Sequence, residues 1–122
     1  MAHTILLVDD EYASLEALAL LLRKEGYQIA TASDGEDALV RLRERQPDLV
    51  ITDYWMPKMD GLELSRRMQE DEHWRSIPLL LTTAAYDIAL RRTPGVIGVF
   101  PKPIPYLALL TTIKELLADK PR

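Results

Sequence analysis

Ile5-Leu6-Leu7-Val8-Asp9-Asp10 is a run of four apolar residues that stops on two acids. A continuous apolar run this short suits a strand covered on both faces. Leu49-Val50-Ile51-Thr52-Asp53 repeats the arrangement and again ends on an aspartate. Between them the apolar spacing changes. Leu15, Leu18 and Leu22 recur at helical intervals from about Tyr12 to Glu25, with Ala19 beside them and Gly26 as the stop. Tyr27 to Ala32 reads as a second strand. Ser33-Asp34-Gly35-Glu36 reads as a capping box in which Ser33 and Glu36 are the reciprocal pair. A helix follows to about Arg45, with Ala38, Leu39 and Leu42 inward and Pro47 beyond it. The third strand leads through Met56-Pro57 to Asp60-Gly61, and Asp60 is placed to cap a helix from about Leu62 to Glu70. Pro78 to Thr83 is a fourth strand and Val96 to Phe100 a fifth. The last helix opens near Pro105, with Leu107, Leu110, Ile113 and Leu117 as its apolar stripe. Ala84 to Arg92 is the weakest segment: a two-turn helix at most, broken by Thr93-Pro94-Gly95.

Composition bounds what such a chain does. Its 122 residues make one domain, able to bury roughly two-thirds of its unfolded surface. Fifteen Lys and Arg against nineteen Asp and Glu leave a net charge of −4, which disfavours direct nucleic-acid binding. There is no cysteine, hence no disulfide, thiolate metal site or Cys nucleophile. No apolar run approaches the ~18 residues of a membrane span, and Met1-Ala2-His3-Thr4 has no signal-peptide character. The expectation is a cytoplasmic protein with no membrane attachment.

Short strands alternating with helices predict an α/β fold with a parallel sheet, helices on both faces through right-handed crossovers. In such a sheet all strand C-termini share one edge. Asp9, Asp10, Asp53, Thr83 and Lys102 all fall at or just after strand ends, so they are expected to gather there. Three aspartates brought together repel, and a hard divalent cation relieves that repulsion. Oxygen donors without Cys or His suit Mg²⁺, with Mn²⁺ possible, rather than zinc. A carboxylate flanked by a metal, a lysine and a hydroxyl is arranged for phosphoryl transfer, in which positioning and charge neutralisation do most of the catalysis.

With these residues in place the chain resembles a response-regulator receiver domain of the CheY-like family over nearly its whole length. The carriers are Leu7-Val8-Asp9-Asp10, Asp53 with Met56-Pro57 and Asp60-Gly61, Thr83-Ala84, and Lys102-Pro103. Each is weak alone; all four in order, each after a strand, are specific. The resemblance implies a doubly wound (βα)5 three-layer sandwich of strand order 2-1-3-4-5, with the fourth helix short or irregular. Residues 1–122 would form a single receiver with no effector domain in this chain. Asp53 would accept a phosphoryl group from a sensor histidine kinase or a phosphotransfer protein. Asp10 would bind the metal directly, Asp9 mainly through water, and the Trp55 backbone carbonyl would be a further ligand. Thr83 would hydrogen-bond the phosphoryl oxygen and Lys102 would pair with it. Lys102-Pro103 would be cis, as is usual in the family. Such a protein is a signalling switch rather than a metabolic enzyme. It would be a monomer or weak dimer acting on a downstream protein partner.

Three departures stand out. The family's switch position, usually aromatic, holds Val99, while Phe100 is one residue late and so faces the other side of a strand. The stretch from Thr83 to Lys102 is shorter than the family's norm. Trp55 places bulk two residues after the acceptor, and Ala85 offers no polar group two residues after Thr83. These departures motivate an alternative, a degenerate receiver serving as a constitutive interaction module. A flavodoxin-like cofactor binder would need a phosphate-cradling loop where Asp9-Asp10-Glu11 stands. An aspartate-nucleophile phosphatase would need a cap domain and a second acid near Asp53.

Overall fold

The computed structural model describes residues 2–85 and 87–118. Five parallel strands form one sheet: β1 (Thr4–Val8), β2 (Gln28–Ala32), β3 (Leu49–Asp53), β4 (Leu79–Thr83) and β5 (Val96–Pro101). Their spatial order is β2-β1-β3-β4-β5. Four α-helices connect or follow them: α1 (Tyr12–Lys24), α2 (Gly35–Glu44), α3 (Gly61–Gln69) and α4 (Tyr106–Leu117). Between β4 and β5 there is no α-helix among the described residues, only the five-residue 3₁₀ segment Ile88–Arg92. The doubly wound architecture is the one expected, and so is the reduced element before β5.

β1, β3 and β4 are buried at every position, as continuous apolar runs require of central parallel strands. Alternation along the strands builds two cores. Leu6, Val8, Val50, Leu79 and Leu81 face α2 and α3, with Ala38, Leu42, Leu64 and Met68. Ile5, Leu7, Leu49, Ile51 and Leu80 face α1 and α4, with Ala19, Leu22, Leu109 and Ile113. Val99 belongs to the first core and Phe100 packs on the second, so the two residues do face opposite sides. Between β4 and β5 the register steps from Leu79↔Val96 to Leu80↔Gly98, leaving Ile97 as an extra residue that is 52% exposed on the sheet edge.

Two local readings are corrected. The α2 cap is Asp34, not Ser33: its side chain accepts from Asp37 N–H at 2.7 Å. Asp37, not Glu36, reaches back, accepting from Ser33 N–H at 3.0 Å. The box is shifted by one residue because Asp caps as well as Ser, and the Asp34–Asp37 spacing serves equally. In α4, Leu107 is exposed and Leu109 takes its place inward, with Leu110, Ile113 and Leu117. Leu107 sits in the first turn of α4 on the side open to solvent. Asp60 caps α3 as read, accepting from Glu63 N–H at 2.8 Å.

Candidate functional site

The C-terminal ends of β1, β3, β4 and β5 converge on one edge of the sheet, and each supplies a residue. Asp9 follows β1, Asp53 ends β3, Thr83 ends β4 and Lys102 follows β5. Carboxylate oxygens of Asp9, Asp10 and Asp53 lie within 4.8 Å of one another. Lys102 Nζ is 3.1 Å from Asp9 Oδ2 and 3.4 Å from Asp53 Oδ2. Asp9 and Asp53 are buried, whereas Asp10 is exposed at the mouth. Asp9 is already engaged, its Oδ1 accepting from Glu11 N–H at 2.9 Å. Asp10 therefore has the most freedom to meet an incoming ion.

Burial raises the Asp53 carboxyl above the usual carboxylate range; Lys102 works against this and Asp9 adds to it. Burial pulls the Lys102 ammonium down, but its hydrogen bond to Asp9 and the charges of Asp9 and Asp53 more than offset that, so its pKa is raised. A single lysine thus does part of the work of a cation. Three carboxylates around it still form an oxygen donor set that fits a hard divalent ion.

The backbone around Asp53 is tightly built. Tyr54 N–H donates to Thr82 O at 2.8 Å, and Gly61 N–H donates to Tyr54 O at 2.9 Å. Gly61 has to be glycine: a Cβ there would lie 2.6 Å from Asp53 O and 2.7 Å from Leu81 Cδ1. In the intervening loop Met56 and Met59 are buried, and Met59 N–H closes a three-residue turn on Pro57 O at 2.8 Å. Lys58, at its centre, has φ 70°. Trp55 projects outward, 63% exposed, stacked on Tyr54 with ring centroids 5.0 Å apart.

Thr83 is fully buried, and its hydroxyl accepts from Ala85 N–H at 3.1 Å. Its carbonyl accepts from Lys102 N–H at 2.9 Å, which ties the β4 and β5 ends together. Lys102-Pro103 is cis, as the resemblance implied. Sequence reading passed over three contributors: Gly61 as a close-approach position, Tyr54 as the backbone link to β4, and Thr82, whose place beside Asp53 appears only once the β3–β4 register is known.

The model of the response regulator receiver domain matches residues 5–114. The chain belongs to that family. The transcriptional regulatory protein AfsQ1 of Streptomyces coelicolor is 40% identical over 84 residues, covering 69% of this chain and 36% of that protein. The receiver chain spans about half or less of the length of such curated relatives. Among solved structures, the signal receiver domain of a signal transduction histidine kinase from Syntrophus aciditrophicus is 33% identical, with TM-score 0.89 over 99% of this chain and 94% of that one. The chemotaxis protein CheY4 of Vibrio cholerae is 27% identical, with TM-score 0.89 over 96% of this chain and 100% of that one. Receiver domains are signalling switches, and this one carries the acidic cluster expected of a phosphoacceptor site. No helix among the described residues is long and apolar enough to cross a membrane.

Proposed function

We propose that this receiver is a phosphoacceptor switch of a two-component or phosphorelay system, with Asp53 as the acceptor. The observation that carries the reading is the buried Asp53 carboxylate held between Asp9, Asp10 and Lys102 at the strand ends. In the transfer a carboxylate oxygen of Asp53 attacks phosphorus, the donor's N–P bond breaks and an acyl phosphate forms. Lys102 stays within reach to pair with the added negative charge. Thr83 exchanges its bond from Ala85 N–H for one it donates to a phosphoryl oxygen. Asp9, Asp10, Asp53 and the Trp55 carbonyl would hold Mg²⁺, which when bound neutralises the carboxylates and polarises the phosphoryl group.

The donor is a sensor histidine kinase or a phosphotransfer protein. Four of the most exposed large apolar side chains support a protein donor: Tyr12, Trp55, Ile88 and Leu107. Each lies in the segment that follows a strand's C-terminal end, so they surround the charged centre with apolar contact area. Residues 1–122 act as one receiver domain in the cytoplasm, a monomer or weak dimer that signals to a downstream protein through its surface and does not itself bind nucleic acid. Beryllofluoride with Mg²⁺ is expected to bind and shift the amide NMR spectrum, and Asp53→Asn to abolish the shift. No response in the wild type would favour a constitutive interaction module, the reading that Val99 and the short 88–92 segment otherwise support.

A further inference from the structure

Just beneath the acidic cluster, on the α1 side of the sheet, is a small cavity between β1, β3, β4 and the first turn of α1. The space open to the centre of a water-sized sphere is about 20 Å³. Its walls are apolar at Leu15, Ile51 and Ile104 and polar at Asp9, Ser14 and Thr82. A single buried water needs room for one water-sized sphere, about 10–15 Å³ of occupied space, and two to four polar partners. The cavity meets both conditions.

Thr82 is the unusual wall. It follows Leu80 on the apolar face that packs against α1 and α4, it is 3% exposed, and its register partner on β3 is Asp53. Its hydroxyl donates to Thr52 O at 3.5 Å, the long limit of a hydrogen bond. Burying a hydroxyl for so weak a bond is costly, and a valine of the same shape would avoid the cost. Across the cavity, Asp9 accepts from Glu11 N–H and from Lys102, and a carboxylate has room for more donors.

We propose that this cavity holds one structural water, donating to Asp9 and to Thr82 Oγ1, and that Thr82 is thereby a positioning residue for the Asp9 carboxylate. Its consequence for cation binding rests on the reading of Asp9 as part of a metal site; the water itself does not. The link joins β1 to β4 directly under the acceptor and fixes the oxygens that face Asp53 and Lys102.

The test compares the wild type with Thr82→Val and Thr82→Ser. In high-resolution crystal structures without added metal, a water is expected in the wild type and in Thr82→Ser. Thr82→Val is expected to lack it and to show a rotated or disordered Asp9 side chain at unchanged fold. Mg²⁺ affinity, read by tryptophan fluorescence, is expected to fall about tenfold in Thr82→Val, the low end for removal of a group that orients a ligand, and to be restored by serine. A dry cavity in the wild type overturns the proposal. So does an Asp9 side chain, or a Mg²⁺ affinity, that Thr82→Val leaves unchanged. A wild type that binds no Mg²⁺ defeats the metal reading instead, and the crystallographic comparison still decides the water.

Discussion

The connections after β3 and after β4 both leave the functional edge, yet they are built to different standards. From Asp53 to Gly61 nearly every position is fixed: two buried methionines, a closed three-residue turn, a backbone bond back to Tyr54, and a glycine that admits no side chain. Among the described residues from Ala84 to Gly95 there is one short 3₁₀ segment, held to the core by the buried Leu90. At its far end Ser65 Oγ donates to Pro94 O at 3.0 Å, and Gly95, at φ +87°, sits against Ser65 and Gln69. The first connection tolerates little change beside Asp53. The second, which follows Thr83, is sparsely anchored. With Asp53 as the proposed acceptor, change there has little helix among the described residues of the second connection on which to act.

The contrast can be broken at several points. The largest expected effect is at Asp53: Asp53→Asn abolishes phosphoryl incorporation, read as loss of the one-phosphoryl mass increase after treatment with a phosphodonor. Gly61→Ala is next. Its Cβ meets the Asp53 carbonyl and Leu81, and forcing atoms into such a site costs about 1–3 kcal/mol. A denaturant melt of wild-type stability would show the first connection to be looser than described. Leu90→Ala is expected to cost about 2 kcal/mol, the low end for leucine truncation, because its thin surroundings can collapse into the gap. Hydrogen exchange should quicken over residues 87–96 and remain slow over 53–61; equal quickening in both would dissolve the distinction. The smallest effect belongs to Trp55. Bulk at Trp55, two residues after Asp53, is expected to slow attack of water on an acyl phosphate there, so Trp55→Asn should shorten the phosphoryl half-life by less than about tenfold, or under about 1.4 kcal/mol of barrier. A lengthened half-life contradicts this.

Most of the fold was legible because its signals were local. Continuous apolar runs ending on Asp9 and Asp53 marked buried parallel strands, and Gly26, Pro47 and Asp60 marked helix ends. The candidate site followed, since a parallel sheet collects its strand ends whatever the helices do. What was misread depended on choices between near-equal neighbours. Ser33 and Asp34 both cap well, and only the path of the chain decides between them. Leu107 and Leu109 are both leucines at plausible helical spacing, and only the way α4 is docked decides which is covered. The roles of Thr82 and Gly61 were not legible for another reason: they lie in register and in approach distance to Asp53, which no local pattern encodes. The shortening before β5 was legible as a deficit of residues, but not as a 3₁₀ segment whose Leu90 fills the core beside Val96 and Val99.

The extra residue at Ile97 has a consequence for company. An edge strand offers a row of unsatisfied amides and carbonyls to any extended chain that passes. The bulge interrupts that row near the start of β5, where the branched Ile97 side chain is half exposed, while Pro101 at the other end has no N–H to offer. Growth of the sheet on this side is thereby discouraged. A partner that docks at β5 gains less from backbone pairing than from side-chain contact, and a second copy of the chain joining edge to edge would meet the same interruption.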